Sequence, residues 1–310
     1  MWKYTIKRIL QGIITVWFIA SATFAAMHLV PGDPLASDKA VAPEIRANLE
    51  AKYGLDKPVS QQYLIYLSNL AQGDFGISFT QKNRLVNDII REHFPVSATL
   101  GLLAVLFAGL GGILWGALTA IYRNRLPDFI IMFLVILGIS VPSFVVAAIS
   151  QLGLVNLNTA AGANLLPVGG WGTVAHMLVP SMVLGLSTMA YLTRLMRSSM
   201  LEVVGSDYVR TAHAKGLPPT RIFTQHQLRN AVLPVITVLG PAIAAITTGG
   251  FVVELVFAIP GLGRYFVEAV QQLDYTVIMG TTVFYGAFLV FMVIAVDVVY
   301  GFIDPRVRLE

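Results

Sequence analysis

The chain has 310 residues, of which 56% are hydrophobic and 12% charged, and its formal net charge is +4. Soluble domains carry about 25% charged residues, so this chain has too few to cover a water-soluble body, and a disordered chain would need the opposite balance. The absence of cysteine excludes disulfides, thiolate metal ligands and cysteine nucleophiles.

Six uncharged apolar stretches are candidates for membrane-crossing helices, since a span needs about 20 apolar residues to cross the hydrocarbon. They cover residues 9–30, 96–122, 129–150, 178–193, 231–253 and 276–296. Turn-forming residues mark the loop between the third and fourth stretches, namely Asn156, Asn158, Gly162, Pro167, Gly169 and Gly170. The sequence therefore predicts an all-α membrane protein with one transmembrane domain of six helices over residues 1–310.

The distribution of Lys and Arg predicts the orientation of the chain. Thirteen of the 21 basic residues lie at the N-terminus, after spans two and four, and in the C-terminal tail. The loop after span three has none, and the loop after span five has only Arg264. By the positive-inside rule the side with thirteen is cytoplasmic, so both termini are predicted to be cytoplasmic.

The N-terminus has features of a secretory signal peptide. Lys7 and Arg8 precede an apolar run, and residues 20–22 have the small-residue spacing of a cleavage site. The apolar run continues to Val30, however, which is longer than the usual core of about 7–15 residues. We therefore expect a retained first helix.

The loop over residues 31–95 is predicted to be external and helical. A first short helix is expected from Pro43 to Gly54 and a second after a cap at Ser60. A third is expected around Val86 and Ile89. Two interpretations are compatible, because a small cap packed on the membrane domain is also a surface that an external protein could bind.

The segment over residues 194–234 is predicted to be cytoplasmic and to contain two helices. Ser206 or Asp207 can cap a helix that runs to Lys215, and Gly216 is a natural stop. A second helix begins at 218–219 and leads into span five. The first helix is rich in small residues, which would let another protein approach the backbone closely. An ordinary positive-inside loop would not need this length, so we expect a docking surface for a partner.

At this point the sequence resembles a known family. Residues 207–217, DYVRTAHAKGL, are similar to the cytoplasmic coupling loop of ABC importer permeases, and residues 226–234 fit the peptide-transport branch. Further short motifs fall where that branch has them, at 31–34, 52–56, 73–76, 259–263 and 304–306. The chain therefore resembles the B-type permease subunit of bacterial oligopeptide importers, with a type I importer fold in the bacterial inner membrane.

A departure from the general importer loop resembles the version of that loop found in the peptide-transport branch. The general loop has Glu-Ala-Ala four to six positions before the glycine, whereas this chain has Arg210, Thr211 and Ala212 there. The resemblance implies that ATPase coupling involves Asp207, Tyr208, Arg210, Thr211, Ala212, Lys215, Gly216 and Leu217.

The resemblance also implies the partners. They are a second, related permease that forms a heterodimer with this chain, two cytoplasmic ATPase subunits, an external peptide-binding protein and the lipid bilayer, with no nucleic acid. The phosphate-binding pattern GxxxxGK[ST] is absent from the sequence. The resemblance therefore implies that ATP and Mg²⁺ are used by the partner ATPases and that this chain binds no cofactor and has no catalytic site.

Two acidic residues at span ends are candidates for the pathway or a gate. Glu254 follows the fifth apolar stretch, and Asp297 ends the sixth. Ionisable groups in membrane spans are functional candidates, but a structural role is expected where water or headgroups reach them. Ser140 and Ser187 lack the second glycine of a hydrolase motif and are expected to serve helix packing.

Other functions stay open at this stage. A stand-alone secondary transporter would need charges in mid-span or a repeat of broken helices. An intramembrane enzyme would need a catalytic constellation, and the five histidines form no metal-binding motif. Within the resembling branch, related permeases carry dipeptides, nickel or glutathione, so the solute is less defined than the role.

Overall fold

The computed structural model describes residues 2–29, 57–81 and 84–303, with backbone alone for 2–4, 249 and 297–303. The chain divides into two compact units, residues 1–97 with 260–310, and residues 98–259. In the described ranges all regular structure is helical apart from one isolated β-bridge between Ile77 and Leu85. The predicted all-α class is confirmed.

Helices in the first unit are α1 (Trp2–Leu29), α2 (Val59–Ala71), the start of α3 (Val86–Ile121), α11 (Leu262–Gln272) and α12 (Tyr275–Ile303). The second unit contains the rest of α3 and, in order, α4 (Leu126–Ser140), α5 (Ser143–Ala161), α6 (Val174–Val204), α7 (Asp207–Ala214), α8 (Pro219–Ala231), α9 (Leu233–Gly249) and α10 (Phe251–Val256).

In the first unit, α1 packs along α12 at two glycines. A Cβ atom on Gly12 would lie 2.8 Å from Val290 Cγ1, and one on Gly286 would lie 2.7 Å from Ile19 Cδ1. Small residues let membrane helices approach closely where water supplies no driving force between them. The first predicted span is therefore part of a packed helix pair.

The predicted third helix of the outer loop is wrong as a separate element. Val86 and Ile89 belong to the first turns of α3, which continues through Pro95 into the second span. Their side chains are fully buried in a core with Leu262 and Val277. The second helix is confirmed as α2, whereas the helix expected from Pro43 to Gly54 lies outside the described residues.

A buried carboxylate fixes residues 78–80 against the start of α12. Asp274 accepts hydrogen bonds from the hydroxyl of Ser78, the amide of Phe79 (3.2 Å), and the amide and hydroxyl of Thr80 (3.2 and 2.8 Å). It also accepts the amide of Val277 in the first turn of α12 (3.3 Å). A buried carboxylate needs such donors to offset its lost hydration. No local pattern in the sequence indicates this contact, because its partners in residues 78–80 are nearly 200 positions from Asp274.

In the second unit, α3 and α6 touch through the pattern Gly112-x-x-x-Gly116. A Cβ atom on Gly112 would lie 2.5 Å from Leu192 Cβ. One on Gly116 would lie 2.5 Å from Met196 Cβ and 2.7 Å from the carbonyl oxygen of Thr193. The two helices therefore approach to a distance that only glycine permits.

The third predicted span is two helices, so the expectation of one helix over 129–150 is wrong. Pro142 has no amide hydrogen and restricts Val141 to an extended conformation, and α4 therefore ends at Ser140. The carbonyl of Gly138 loses the partner that residue 142 would supply. The hydroxyl of Ser187 donates to this carbonyl at 3.1 Å, which confirms the packing role expected of that serine.

The remaining spans match the prediction with shifted ends. Among the described residues, five helices are long and apolar enough to cross a membrane, and α8 with α9, bent by 43°, is a sixth candidate when the pair is taken as one span. Helix α5 includes Asn156 and Asn158, which were expected in the loop, and Asn158 instead bonds the backbone of Leu165 and Leu166. Helix α9 ends at Gly249, so the last residues predicted for span five belong to α10.

The α3–α6 contact generates a stability prediction. We expect Gly116→Ala to lower the stability of the purified protein by about 1–3 kcal/mol, the usual cost of forcing volume into a packed site. Gly153→Ala on α5 is the matched control, because no atom lies within 4 Å of its added Cβ, and it should not destabilise the protein. Thermal unfolding followed by size-exclusion chromatography in detergent measures both. Equal melting temperatures for the two variants would contradict the close approach.

Candidate coupling site

The candidate site centres on α7, a helix of eight residues between α6 and α8. Helix α6 continues to Val204, so the first eleven residues of the predicted segment 194–234 belong to the same helix as the fourth span. The prediction placed its start too early, because Arg194 and Arg197 ended the uncharged stretch without ending the helix. The helix expected from Asp207 is confirmed.

One face of α7 is buried against its own chain. Val209 and Ala212 are 2% and 4% exposed and pack on Ile222 of α8, with Val203 and Leu217 beside them. Positions three apart lie on the same face of a helix, which explains why these two share the contact. The expectation that Ala212 lets a partner approach is therefore wrong, since this residue already packs inside the molecule.

The C-terminus of α7 is closed by Gly216. This residue has φ +70°, and its amide donates to the carbonyl of His213 at 2.9 Å, while the Leu217 amide donates to that of Ala212 at 3.3 Å. These two bonds form a Schellman motif, in which glycine adopts the left-handed conformation without strain. Leu217 also packs against the apolar cluster that contains Ala212, and the predicted stop at Gly216 is confirmed.

The N-terminus of α7 differs from its prediction. Ser206 has the extended backbone of a capping residue, but its hydroxyl donates to the carbonyl of Val203 at 2.6 Å and caps nothing in α7. Asp207 occupies the first turn, where a negative charge is favourable to the helix dipole.

The opposite face of α7 is open to solvent. Tyr208 is 43% exposed, and the side chains of Arg210, Thr211 and Lys215 are also exposed. Arg210 lies 3.5 Å from Asp207, but both side chains are well hydrated, so this ion pair contributes little to stability. A tyrosine and an arginine on α7, and a lysine directly after it, are thus exposed, while the other face of the helix is packed against the chain.

Helix α8 connects this site to the fifth span and contains a π-helical stretch over Ile222–Leu228. Such stretches occur mostly as local bulges and are frequent at functional sites. Its last residue, Ala231, is fully buried in a cluster with Leu192 and Met196 of α6. The sequence predicts a plain helix here and carries no signal for the π-turn.

A buried ion pair joins α6 to the start of α4. The guanidinium of Arg197 donates two hydrogen bonds to the carboxylate of Asp128, at 2.9 and 2.8 Å, and the Asn124 amide donates a third at 3.0 Å. Asp128 is almost fully buried. Removing one partner of such a pair leaves an uncompensated buried charge, so both are needed to keep the base of α6 in place. No local pattern in the sequence indicates this role for Asp128, because Arg197 is 69 positions away.

The two acidic candidates at span ends lie in different helices, and the structure describes the side chain of Glu254 but not that of Asp297. Glu254 lies in α10 and is only 2% exposed, so the expectation that water or headgroups reach it is wrong. Asp297 lies in α12, but its side chain is outside the described residues. A gate role for either residue stays a prediction.

Fold and site together define a multi-pass helical membrane protein that presents a short helix, packed on one face and exposed on the other, outside its apolar spans. Residues 112–309 match the family described as binding-protein-dependent transport system inner membrane component. Residues 1–101 match the family of the N-terminal part of such membrane components. The chain belongs to the inner membrane components of binding-protein-dependent transport systems, which confirms the family predicted from its motifs.

Curated relatives match over nearly their whole length. The dipeptide transport system permease protein DppB of Bacillus subtilis is 44% identical over 310 residues, covering 100% of this chain and 99% of the relative. The oligopeptide transport system permease protein OppB of Haemophilus influenzae is 42% identical, covering 99% and 100%. The DppB of Lactococcus lactis is 39% identical, covering all of both chains.

The two faces of α7 generate a prediction with a matched pair of variants. Ala212→Glu places a carboxylate against Val209 and Ile222, which costs at least about 2 kcal/mol without a partner, and α7 should detach. Ala214→Glu adds the same group to the exposed face and should leave α7 in place. Limited trypsin cleavage after Arg210 and Lys215 measures the difference. If both variants are cut at the same rate, the buried face of α7 is assigned wrongly.

Proposed function

We propose that this chain forms half of the membrane pathway of an ATP-driven importer for oligopeptides. A second, related permease supplies the other half, and an external binding protein delivers the peptide. Support comes from the family match and from relatives that are named as oligopeptide and dipeptide permeases at 39–44% identity over almost the full chain.

The geometry of α7 is the observation that carries the coupling role. Of the predicted coupling residues, Tyr208, Arg210, Thr211 and Lys215 have exposed side chains, whereas Ala212 serves the internal contact. One face of α7 is packed against α8 and the other is exposed, so a force applied to the exposed face would be transmitted to α8. We assign the contact with a cytoplasmic ATPase subunit to this exposed face.

Movement of α7 has a defined route into the membrane. Val209 and Ala212 press on Ile222 of α8, and α8 joins α9 through the bend at Val232. Ala231 also packs against α6 at Met196. Closure of the ATPases on ATP would therefore displace the fourth and fifth spans together, which is how the pathway would change from outward to inward access.

The remaining assignments follow from the same proposal. The basic end that carries α7 is cytoplasmic, together with both termini, and the loop over 31–95 with α2 faces the binding protein. ATP and Mg²⁺ are bound by two partner ATPase subunits, so this chain is a non-catalytic subunit. Dipeptides are the second candidate substrate, because the relative at 44% identity is named a dipeptide permease.

A charge placed at the end of α7 tests the coupling role. We expect Gly216→Glu to abolish transport-coupled ATP hydrolysis while the assembly still co-purifies, since the Cβ site at φ +70° is open toward solvent and a partner. Gly216→Ala carries the same backbone strain, about 1–2 kcal/mol, without the charge, and should retain most activity. Gly205→Glu, which adds the same charge before α7 at an ordinary φ of −79°, is the control for the added charge itself. Normal transport by Gly216→Glu would exclude the assignment.

Substrate length is tested by uptake into proteoliposomes that contain the whole assembly. We expect ATP-dependent uptake of labelled oligopeptides and dipeptides, added as a series of graded length with the binding protein. A nickel salt and glutathione are the controls for the other solutes of this branch. Uptake of a control solute in preference to every peptide would refute the substrate proposed.

A further inference from the structure

The second unit contains an apolar cavity of about 470 Å³ between α3, α4, α5 and α6. It lies at the break between α4 and α5, where Pro142 ends one helix and begins the next. Leu137, Gly138 and Val141 line it on one side of the break, and Val146 and Ile149 on the other. The broken third span thus creates space that a straight helix would fill.

The cavity cannot serve a peptide. Its lining residues with polar side-chain groups are Trp115, Ser150 and Thr193, and the hydroxyl of Thr193 already donates to the carbonyl of Met189 at 2.8 Å. A peptide backbone carries a donor and an acceptor at nearly every residue, and each would be buried without a partner at a cost of several kcal/mol. The occupant must therefore be apolar along its buried length.

The opening of the cavity lies on an exposed apolar surface of the second unit. Leu134, Leu137 and Ile149 line it and are exposed on the surface of the unit, and α3, α5 and α6 have the length and composition of membrane spans. A site of this volume is within the usual range for ligands of about 300–1,000 Å³. The apolar molecules that surround such an opening are lipid acyl chains.

A cation follows the cavity-lining residues along α6. Leu186 and Ala190 line the cavity, and Arg194 follows on the same face of α6, one turn or about 6 Å further along. Arg194 is exposed and, in the ranges that the structure describes, makes no ion pair or hydrogen bond. Exposed Trp115 and Tyr191 lie at this level, as aromatic residues do at the membrane interface.

We propose that the cavity holds one acyl chain of an anionic phospholipid whose phosphate binds Arg194. The apolar lining accounts for the chain, and the unpaired guanidinium that follows it along α6 accounts for the headgroup charge. Basic sites between membrane helices bind anionic lipid headgroups in this way. The lipid belongs to the leaflet on the basic side and supports the broken third span, which goes beyond the transport function proposed above.

The first test uses the unaltered protein. The full assembly is reconstituted with phosphatidylglycerol that carries a photoreactive diazirine in one acyl chain, and the labelled peptides are identified by mass spectrometry. Phosphatidylcholine with the same chain is the matched probe. We expect labelling of α4 and α6 around Gly138 and Ala190, about fivefold stronger for the anionic probe, since one basic residue near the surface is worth that factor.

Two pairs of variants separate the headgroup from the chain. Arg194→Gln should remove the preference for the anionic probe, whereas Arg221→Gln, exposed on α8, should not. Ser150→Phe should fill the cavity and abolish labelling at Gly138 and Ala190. Leu106→Phe on the exposed face of α3, outside the cavity, should leave it unchanged.

Three outcomes would overturn the proposal. Equal labelling by the two probes on the unaltered protein would reduce the site to ordinary lipid contact. Absence of labelling at Gly138 and Ala190 would show that no acyl chain enters. Cross-links from single cysteines at Leu134 or Ile149 to the second permease would show that a protein covers the opening. The chain has no native cysteine, so such variants carry a single thiol.

Discussion

Helix α6 lies so close to α3 that a side chain on Gly116 would overlap Met196 and the backbone of Thr193. This contact fixes the helix whose end carries α7. Below it, the bidentate pair of Arg197 with Asp128 holds the same helix against the start of α4. Water gives little driving force between membrane helices, so close packing and buried polar contacts must supply the order.

Helix α7 can transmit movement because the helices next to it, α6 and α8, are held in place by packing. Helix α7 is short, and a free helix of eight residues would be unstable in water. It persists because Val209 and Ala212 are buried against Ile222 and because Gly216 closes its end. The same contacts that stabilise the helix connect it to the fourth and fifth spans, so stability and transmission depend on one small apolar cluster.

Helix breaks in this chain depend on partners that lie far away in sequence. Pro95, Pro180 and Pro241 are accommodated inside helices, whereas Pro142 separates α4 from α5. At Pro142 the carbonyl of Gly138, which loses its partner within the helix, accepts a hydrogen bond from Ser187 of another helix. The sequence shows where each proline is but not whether a distant side chain bonds the carbonyl that the proline leaves without a partner. For that reason the third span was predicted as one helix.

The sequence by itself determined the all-α class, most of the apolar spans, the distribution of basic residues, the C-terminal stop of α7 and the family motifs, because each depends on composition or on neighbours within a few residues. Only the tertiary structure decided that Ala212 faces inward, that Glu254 is buried and that Asp128 pairs with Arg197. It also decided the place of the cavity. These features depend on which surfaces meet, and residues 69 positions apart, as in the pair of Asp128 with Arg197, leave no local pattern from which their contact can be predicted.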